Sequence, residues 1–270
     1  MNILFLGDII GKPGRDVVHA QLPALRQSLK LDLVIANGEN AAGGFGLTRA
    51  IAEEFFALGI DVITTGNHWA DQKEILTYID SEDRILRPLN YPKGTPGRGA
   101  NLYQTPGGSV LVINAMGRVF MDALDDPFAG VERELSACAL GEGADAIVVD
   151  IHAEATSEKM AMGHFCDGRA SLVVGSHSHV PTADAQILPG GTAFQVDAGA
   201  CADYDSVIGM EKTEPVQRFV RKMATQRYTP ATGPATLCAV FVQTGTGGLA
   251  TRIDPVRLGG RLKPARPELD

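Results

Sequence analysis

The chain has 270 residues, 44% of them hydrophobic, and carries 24 Lys and Arg against 32 Asp and Glu, a formal net charge of −8. That content suffices for one large α/β core, and the acidic balance excludes broad nucleic-acid or membrane-surface binding through a basic face. An anionic substrate would need a local positive centre, such as a metal ion.

Met1-Asn2-Ile3-Leu4-Phe5-Leu6 has no basic leader, and its apolar run is too short for a signal peptide or a membrane span. It predicts a strand buried on both faces, ending at Gly7-Asp8. The following Ile9 to Arg15 fails two nucleotide-binding templates on spacing: Gly7, Gly11 and Gly14 do not form G-x-G-x-x-G, and Gly7 to Lys12 is too short for a P-loop. Val17, Val18, Leu22, Leu25 and Leu29 predict a helix over 16–29, interrupted by Pro23.

A second buried strand over 31–36 ends in Asn37-Gly38-Glu39-Asn40, before a Gly-rich loop through Phe45. Thr48 is placed to cap a helix over 50–58. A third strand over 60–65 leads into Gly66-Asn67-His68-Trp69-Ala70-Asp71, where the glycine allows a sharp turn that sets an amide beside an imidazole. A helix over 71–79 and a Pro- and Gly-rich loop over 81–104 follow. Later strands are expected over 109–115, 146–151, 172–174, 193–196, 235–242 and 249–253, with a helix over 131–138. Two of these deliver His152 with Glu154 and Gly175-Ser176-His177-Ser178-His179. A helical excursion is expected within 204–233, and 258–270 as a mobile tail or partner-binding extension.

Asp8, Glu39, Asn40, Asn67, His68, His152, His177 and His179 all terminate apolar runs. If the strands are parallel they gather on one edge of one sheet, where open α/β sheets bind ligands. Carboxylates, amides and imidazoles converging there point to a two-metal site. The oxygen and nitrogen donors without thiolate suit Mn, Fe or Zn better than a structural Cys-type zinc site. Cys138, Cys166, Cys201 and Cys238 have no C-x-x-C spacing, which predicts a reducing, cytoplasmic setting.

The order Gly7-Asp8, Gly38-Glu39-Asn40, Gly66-Asn67-His68, His152 and Gly175-x-His177-x-His179 resembles the calcineurin-like metallophosphoesterases. More closely it resembles their bacterial YmdB-like branch, with members acting on 2′,3′-cyclic AMP. Segments 151–159 and 204–209 extend the likeness along nearly the whole chain. Two departures from the wider superfamily, Ile10 where a His is usual and Glu39-Asn40 where a bridging Asp is usual, match that branch.

The resemblance implies a single metallophosphoesterase-type α/β domain, its layered sheets flanked by helices and its metal site at strand C-terminal ends. It further implies that Asp8, Asn40 and His179 hold one ion, Asn67, His152 and His177 another, and that Glu39 bridges, with Fe or Mn ahead of Zn. It makes His68 the general acid for hydrolysis of a small phosphodiester by a metal-bridging hydroxide. A broader phosphomonoesterase or nucleotidase, and a non-catalytic nucleotide- or protein-binding regulator, are the competing expectations. Monomer and homo-oligomer are both compatible with the sequence. Glu154 and Lys159 read as charged surface loop, His19 and His164 as structural or exposed, Asp197 as support for a metal-bound His, and Trp69 as packing or base-stacking.

Overall fold

The apolar run after Met1 forms strand β1 (Asn2–Leu6), and a short strand β2 (Asp8–Ile9) follows it directly. Helix α1 (Gly11–Ser28) begins before the expected Asp16, because Pro13 lies in the first turn, where its missing N–H has no intrahelical role, and it runs on through Pro23. Strand β3 (Leu33–Asn37) leads through the Gly-rich loop to helix α2 (Arg49–Leu58), whose Thr48 side chain accepts from Ile51 N–H. Gly59 closes that helix in the left-handed conformation.

Strand β4 (Val62–Thr64) precedes helix α3, which is only one turn, Ile75–Tyr78, rather than the helix expected over 71–79. Residues 66–74 are instead pinned as turns: the Asp71 carboxylate is committed to His68, and the Gln72 amide to Phe45 O. Strands β5 (Ile85–Leu86) and β6 (Ala100–Thr105) lie inside the segment read as loop. The first is too short to leave a pattern, and the second is a half-exposed edge.

Beyond them come β7 (Gly108–Met116), α4 (Pro127–Ala137), β8 (Ala146–His152), α5 (Thr156–Cys166), β9 (Leu172–Ser176), β10 (Gln186–Ile187), β11 (Ala193–Gln195) and β12 (Ala200–Asp203). Helix α6 (Thr213–Arg221), β13 (Ala235–Thr244) and β14 (Ala250–Gly259) complete the chain. The computed structural model describes residues 1–269.

These strands form two sheets. The first runs β2-β12-β13-β1-β3-β4-β5, with β14 on β13; β1, β3, β4 and β5 are parallel, and β13 is antiparallel to β1. The second runs β10-β11-β9-β8-β7-β6, with β7, β8, β9 and β11 parallel. Strand alternation decides what each face meets. Ile3, Phe5, Leu33, Ile35 and Val62 point between the sheets, against Val110, Val112, Val148 and Val174. Leu4, Leu6, Val34 and Ile63 point outward, against Val18, Leu22, Leu25 and Phe55 of α1 and α2. On the far side Ile147, Val149 and Val173 pack on Val131 and Leu135 of α4 and Met162 and Cys166 of α5. The result is a helix–sheet–sheet–helix stack.

The 204–233 excursion holds a helix, α6, and Val216, Phe219, Val220 and Met223 lie exposed; the expectation for the end of the chain changes. Residues 258 and 259 belong to β14, and the chain beyond them folds back: Ala265 pairs with Arg257, Glu268 O accepts from Arg252, and Leu269 packs on the α1 side of the core. Among the described residues, no helix is long and apolar enough to cross a membrane.

Candidate metal centre

Parallel strands carry their following loops to one edge, and here two such edges meet. The first sheet delivers Asp8 after β1, Glu39 and Asn40 after β3, and Asn67 and His68 after β4; the second delivers His152 at the end of β8 and His177 and His179 after β9. The expectation of one edge of one sheet is thereby corrected, since the site lies across both. Which sheet a strand joins depends on long-range pairing, and buried strands look alike in sequence.

Glu39 Oε1 stands 3.0 Å and Asn67 Oδ1 3.1 Å from His152 Nε2, and His177 Nδ1 is 3.1 Å from the same nitrogen. Beside this group, His179 Nε2 lies 3.8 Å from Asp8 Oδ1, and Asp8 Oδ2 accepts from His177 N–H at 3.2 Å. The Asn40 amide donates to Gly44 O, which leaves its oxygen free. Asp8, Glu39, Asn40, His152 and His179 are all buried.

Each histidine has one nitrogen occupied by the protein. Ser176 Oγ donates to Asp150 Oδ1 at 2.7 Å, so it accepts from His152 Nδ1–H at 2.8 Å and leaves Nε2 as a lone-pair donor. His179 Nδ1–H donates to Ile208 O at 2.8 Å, again leaving Nε2. His177 is turned the other way: its Nε2 faces Glu154 Oε2 at 3.1 Å, and Nδ1 is left to point inward. This tethering of the outer nitrogen is how metal-bound imidazoles are oriented.

A cation fits this donor set. Asp8 Oδ1, Glu39 Oε1, Asn40 Oδ1 and His179 Nε2 are buried with no hydrogen-bond partner among the described residues. Four such atoms in one place would each carry a desolvation penalty unless a shared cation satisfied them. Glu39, His152 and His177 alone bring ligand atoms within 4.8 Å of one another. The electrostatics are those of crowded charge. Burial pushes the Asp8 carboxyl up from its ordinary value, and burial raises Asp150 to about 6. Burial also opposes charge on Glu39, but His152 and His68 outweigh it and hold Glu39 at about 2. Burial disfavours the His152 imidazolium, yet Glu39 and Asp8 raise it to about 9, whereas burial and the neighbouring His152 press His177 down to about 3. A metal ion would compete with the proton for His152 Nε2.

The backbone is shaped around these groups. A methyl group on Gly66 would overlap the His152 ring and the Glu39 carboxylate. Gly66→Ala is therefore expected to lower kcat about 100-fold, the scale of a 1 Å misplacement, and to lower bound metal. Steady-state kinetics and metal analysis would check this, and wild-type values for both would remove the site from this edge. His177 and His179 take left-handed backbone, with φ of 90° and 62°. Between them Ser178 is tied down by Asp197, whose Oδ2 accepts from Ser178 N–H at 3.1 Å, Ser178 Oγ–H at 2.6 Å and Lys159 Nζ at 2.7 Å.

His68 stands at the mouth of the site. Its N–H donates to Glu39 Oε2, its Nδ1 is 2.9 Å from Asp71 Oδ2, and its ring meets Phe45 edge-on at 5.0 Å. Trp69 turns inward against Tyr91. His19 sits on the surface beside Glu54. Lys159 is not in a surface loop but fully buried on α5, because Asp197 offers it a partner; Glu154 is exposed but reaches His177.

Sequence reasoning overlooked several contributors. Asp71 carries an ordinary surface composition, and nothing local signals its bond to His68. Ser176 and Asn37 do end buried strands, which was a usable signal: the Asn37 amide lies 3.3 Å from His152 Nδ1 and 3.4 Å from Asp150 Oδ2. A cavity of about 390 Å³ opens over the site, and it is also lined by Phe45, Ile208, Met210 and Tyr228.

The family model described as YmdB-like protein matches residues 4–256. A Bacillus subtilis protein named 2′,3′-cyclic-nucleotide 2′-phosphodiesterase is 45% identical over 242 residues, 90% of each chain. A solved structure of a Thermus thermophilus protein superposes with TM-score 0.90 at 44% identity, covering 97% of this chain and 100% of that one. A phosphatase from Mycoplasma pneumoniae superposes with TM-score 0.89 at 29% identity, covering 96% and 93%.

Proposed function

The chain belongs to the YmdB-like family, and from that membership we propose that it is a metal-dependent phosphodiesterase that opens 2′,3′-cyclic nucleotides, 2′,3′-cyclic AMP among them, to nucleoside 3′-monophosphates. The observation that carries this reading is the cluster of buried, unpartnered donors beside His68 at the meeting of two sheet edges. In a chain of net charge −8, that cluster is also where a cation could receive an anionic diester.

In this reading Asp8, Asn40 and His179 would hold one ion and Asn67, His152 and His177 the other, with Glu39 available to both; the donor set suits Mn or Fe, with Zn as the alternative. When bound, the ions supply Lewis acidity, lowering the pKa of water and offsetting charge on the phosphoryl oxygens. The chain's own residues do the rest. Glu154, Ile208 O and Ser176 fix the three imidazoles so that their free nitrogens face inward. Asp71 holds His68 Nδ1, which leaves Nε2 to deliver a proton. Water that has released one proton to solvent forms a bond from its oxygen to phosphorus in line with O2′, the P–O2′ bond breaks, and O2′ takes its proton from His68 Nε2, which recovers one from solvent. No covalent enzyme intermediate is needed. The unpaired cysteines suit a reducing compartment, the cytoplasm.

Protein reconstituted with Mn or Fe is expected to cleave 2′,3′-cyclic AMP to adenosine 3′-monophosphate, faster than it cleaves 3′,5′-cyclic AMP or a phosphomonoester, and to stop when the metal is chelated. Chromatography of the products decides it. A preference for the phosphomonoester would favour a nucleotidase, and no cleavage of any ester by metal-loaded protein would overturn the reading.

A further inference from the structure

One wall of the cavity over the metal centre is apolar, and its side chains have no part in the chemistry just described. Phe45, Ile208, Met210 and Tyr228 form it, in a lining that also includes Glu39, His68 and His179. Phe45 and Tyr228 are rooted on a small buried cluster that includes Ile10 and Met210. Arg218 of α6 lies 3.9 Å from the Tyr228 ring centroid and is itself tied to Glu214 at 2.8 Å. The 204–233 excursion thus buttresses this wall.

Ile208 is the unusual member. Val207 and Met210 bond to each other across Ile208-Gly209, a two-residue turn in which both central residues have positive φ, 49° and 88°. Such turns favour Asn, Asp or Gly, and a β-branched residue there is strained. Burial does not offset the strain, because Ile208 is 52% exposed. Its carbonyl orients His179, a task any residue could perform, so the aliphatic side chain at the cavity needs its own explanation.

We propose that this wall is the seat of the substrate's nucleobase, a conclusion that rests on the phosphodiesterase reading. In a 2′,3′-cyclic nucleotide the departing O2′ sits on the carbon next to the one that bears the base. The base must therefore lie close to whatever group protonates O2′. His68 has that role, and Phe45 packs against its ring. An apolar, partly aromatic wall recognises the face of any base and favours the larger purines, since stacking and not hydrogen bonding provides the contact.

The test pairs 2′,3′-cyclic AMP with glycerol 1,2-cyclic phosphate, which has the same five-membered diester and no base. Wild-type protein loaded with Mn is expected to prefer the nucleotide, chiefly through KM. Tyr228→Ala should reduce the ratio of the two kcat/KM values by about tenfold to a hundredfold, the scale of one lost stacking contact. Ile208→Asn should reduce it in the same direction, and because Asn is at ease in that turn it keeps the bond to His179. Wild-type protein that cleaves both esters equally well, or variants that leave the ratio unchanged, would overturn the seat and leave the phosphodiesterase reading standing. Wild-type protein that cleaves neither would overturn both.

Discussion

His68→Ala is expected to lower kcat for 2′,3′-cyclic AMP by about 10²–10⁴, the usual contribution of a positioned acid, with bound metal unchanged. The side chain is not among the inward-facing donors, so its loss should spare the ions. His68 gives Glu39 a backbone N–H, which alanine retains, although the electrostatic pull of the ring on Glu39 is lost. Asp71 accepts from Nδ1 and leaves Nε2 free, the nitrogen that the proposed mechanism uses to protonate the leaving oxygen. A diester whose leaving group is p-nitrophenolate needs no such proton, so its cleavage should fall far less. Equal losses on both substrates would assign His68 a structural role and remove it as the acid.

Lys159→Met should destabilise the fold by about 3–5 kcal/mol, the cost of leaving one member of a buried ion pair uncompensated. Lys159 and Asp197 are both fully buried and 2.7 Å apart. The remaining Asp197 carboxylate would keep its bonds from Ser178 and Gly199 but lose its only cation among the described residues. In a chain of this size the shift corresponds to roughly 6–20 °C in Tm. The double variant Lys159→Met/Asp197→Asn should recover part of it, because no charge is then buried alone. A melting curve like that of the wild type would show that the pair is worth little here.

Much of the candidate site is legible in the sequence. Apolar runs that stop at a glycine and then a polar residue place Asp8, Glu39, Asn40, Asn67, His68 and His177 at strand ends, because burial and backbone reach dictate where such runs stop. The kinds of donor atom, oxygen and nitrogen without thiolate, are legible there too. That the donors come from two sheet edges is a tertiary matter, because strand partners are chosen by packing across long separations; the bond from His177 N–H to Asp8 spans 169 residues. So is the choice of which nitrogen of each histidine faces inward, since Glu154, Ser176 and Ile208 O are each remote in sequence from the ring they hold. Folding turned Lys159 from an apparent surface charge into a buried brace, because a lysine reads as exposed until its counter-ion is known. Ile208 and Tyr228 likewise join Phe45 in lining the cavity only through the folded excursion, and no local pattern brings together segments so far apart.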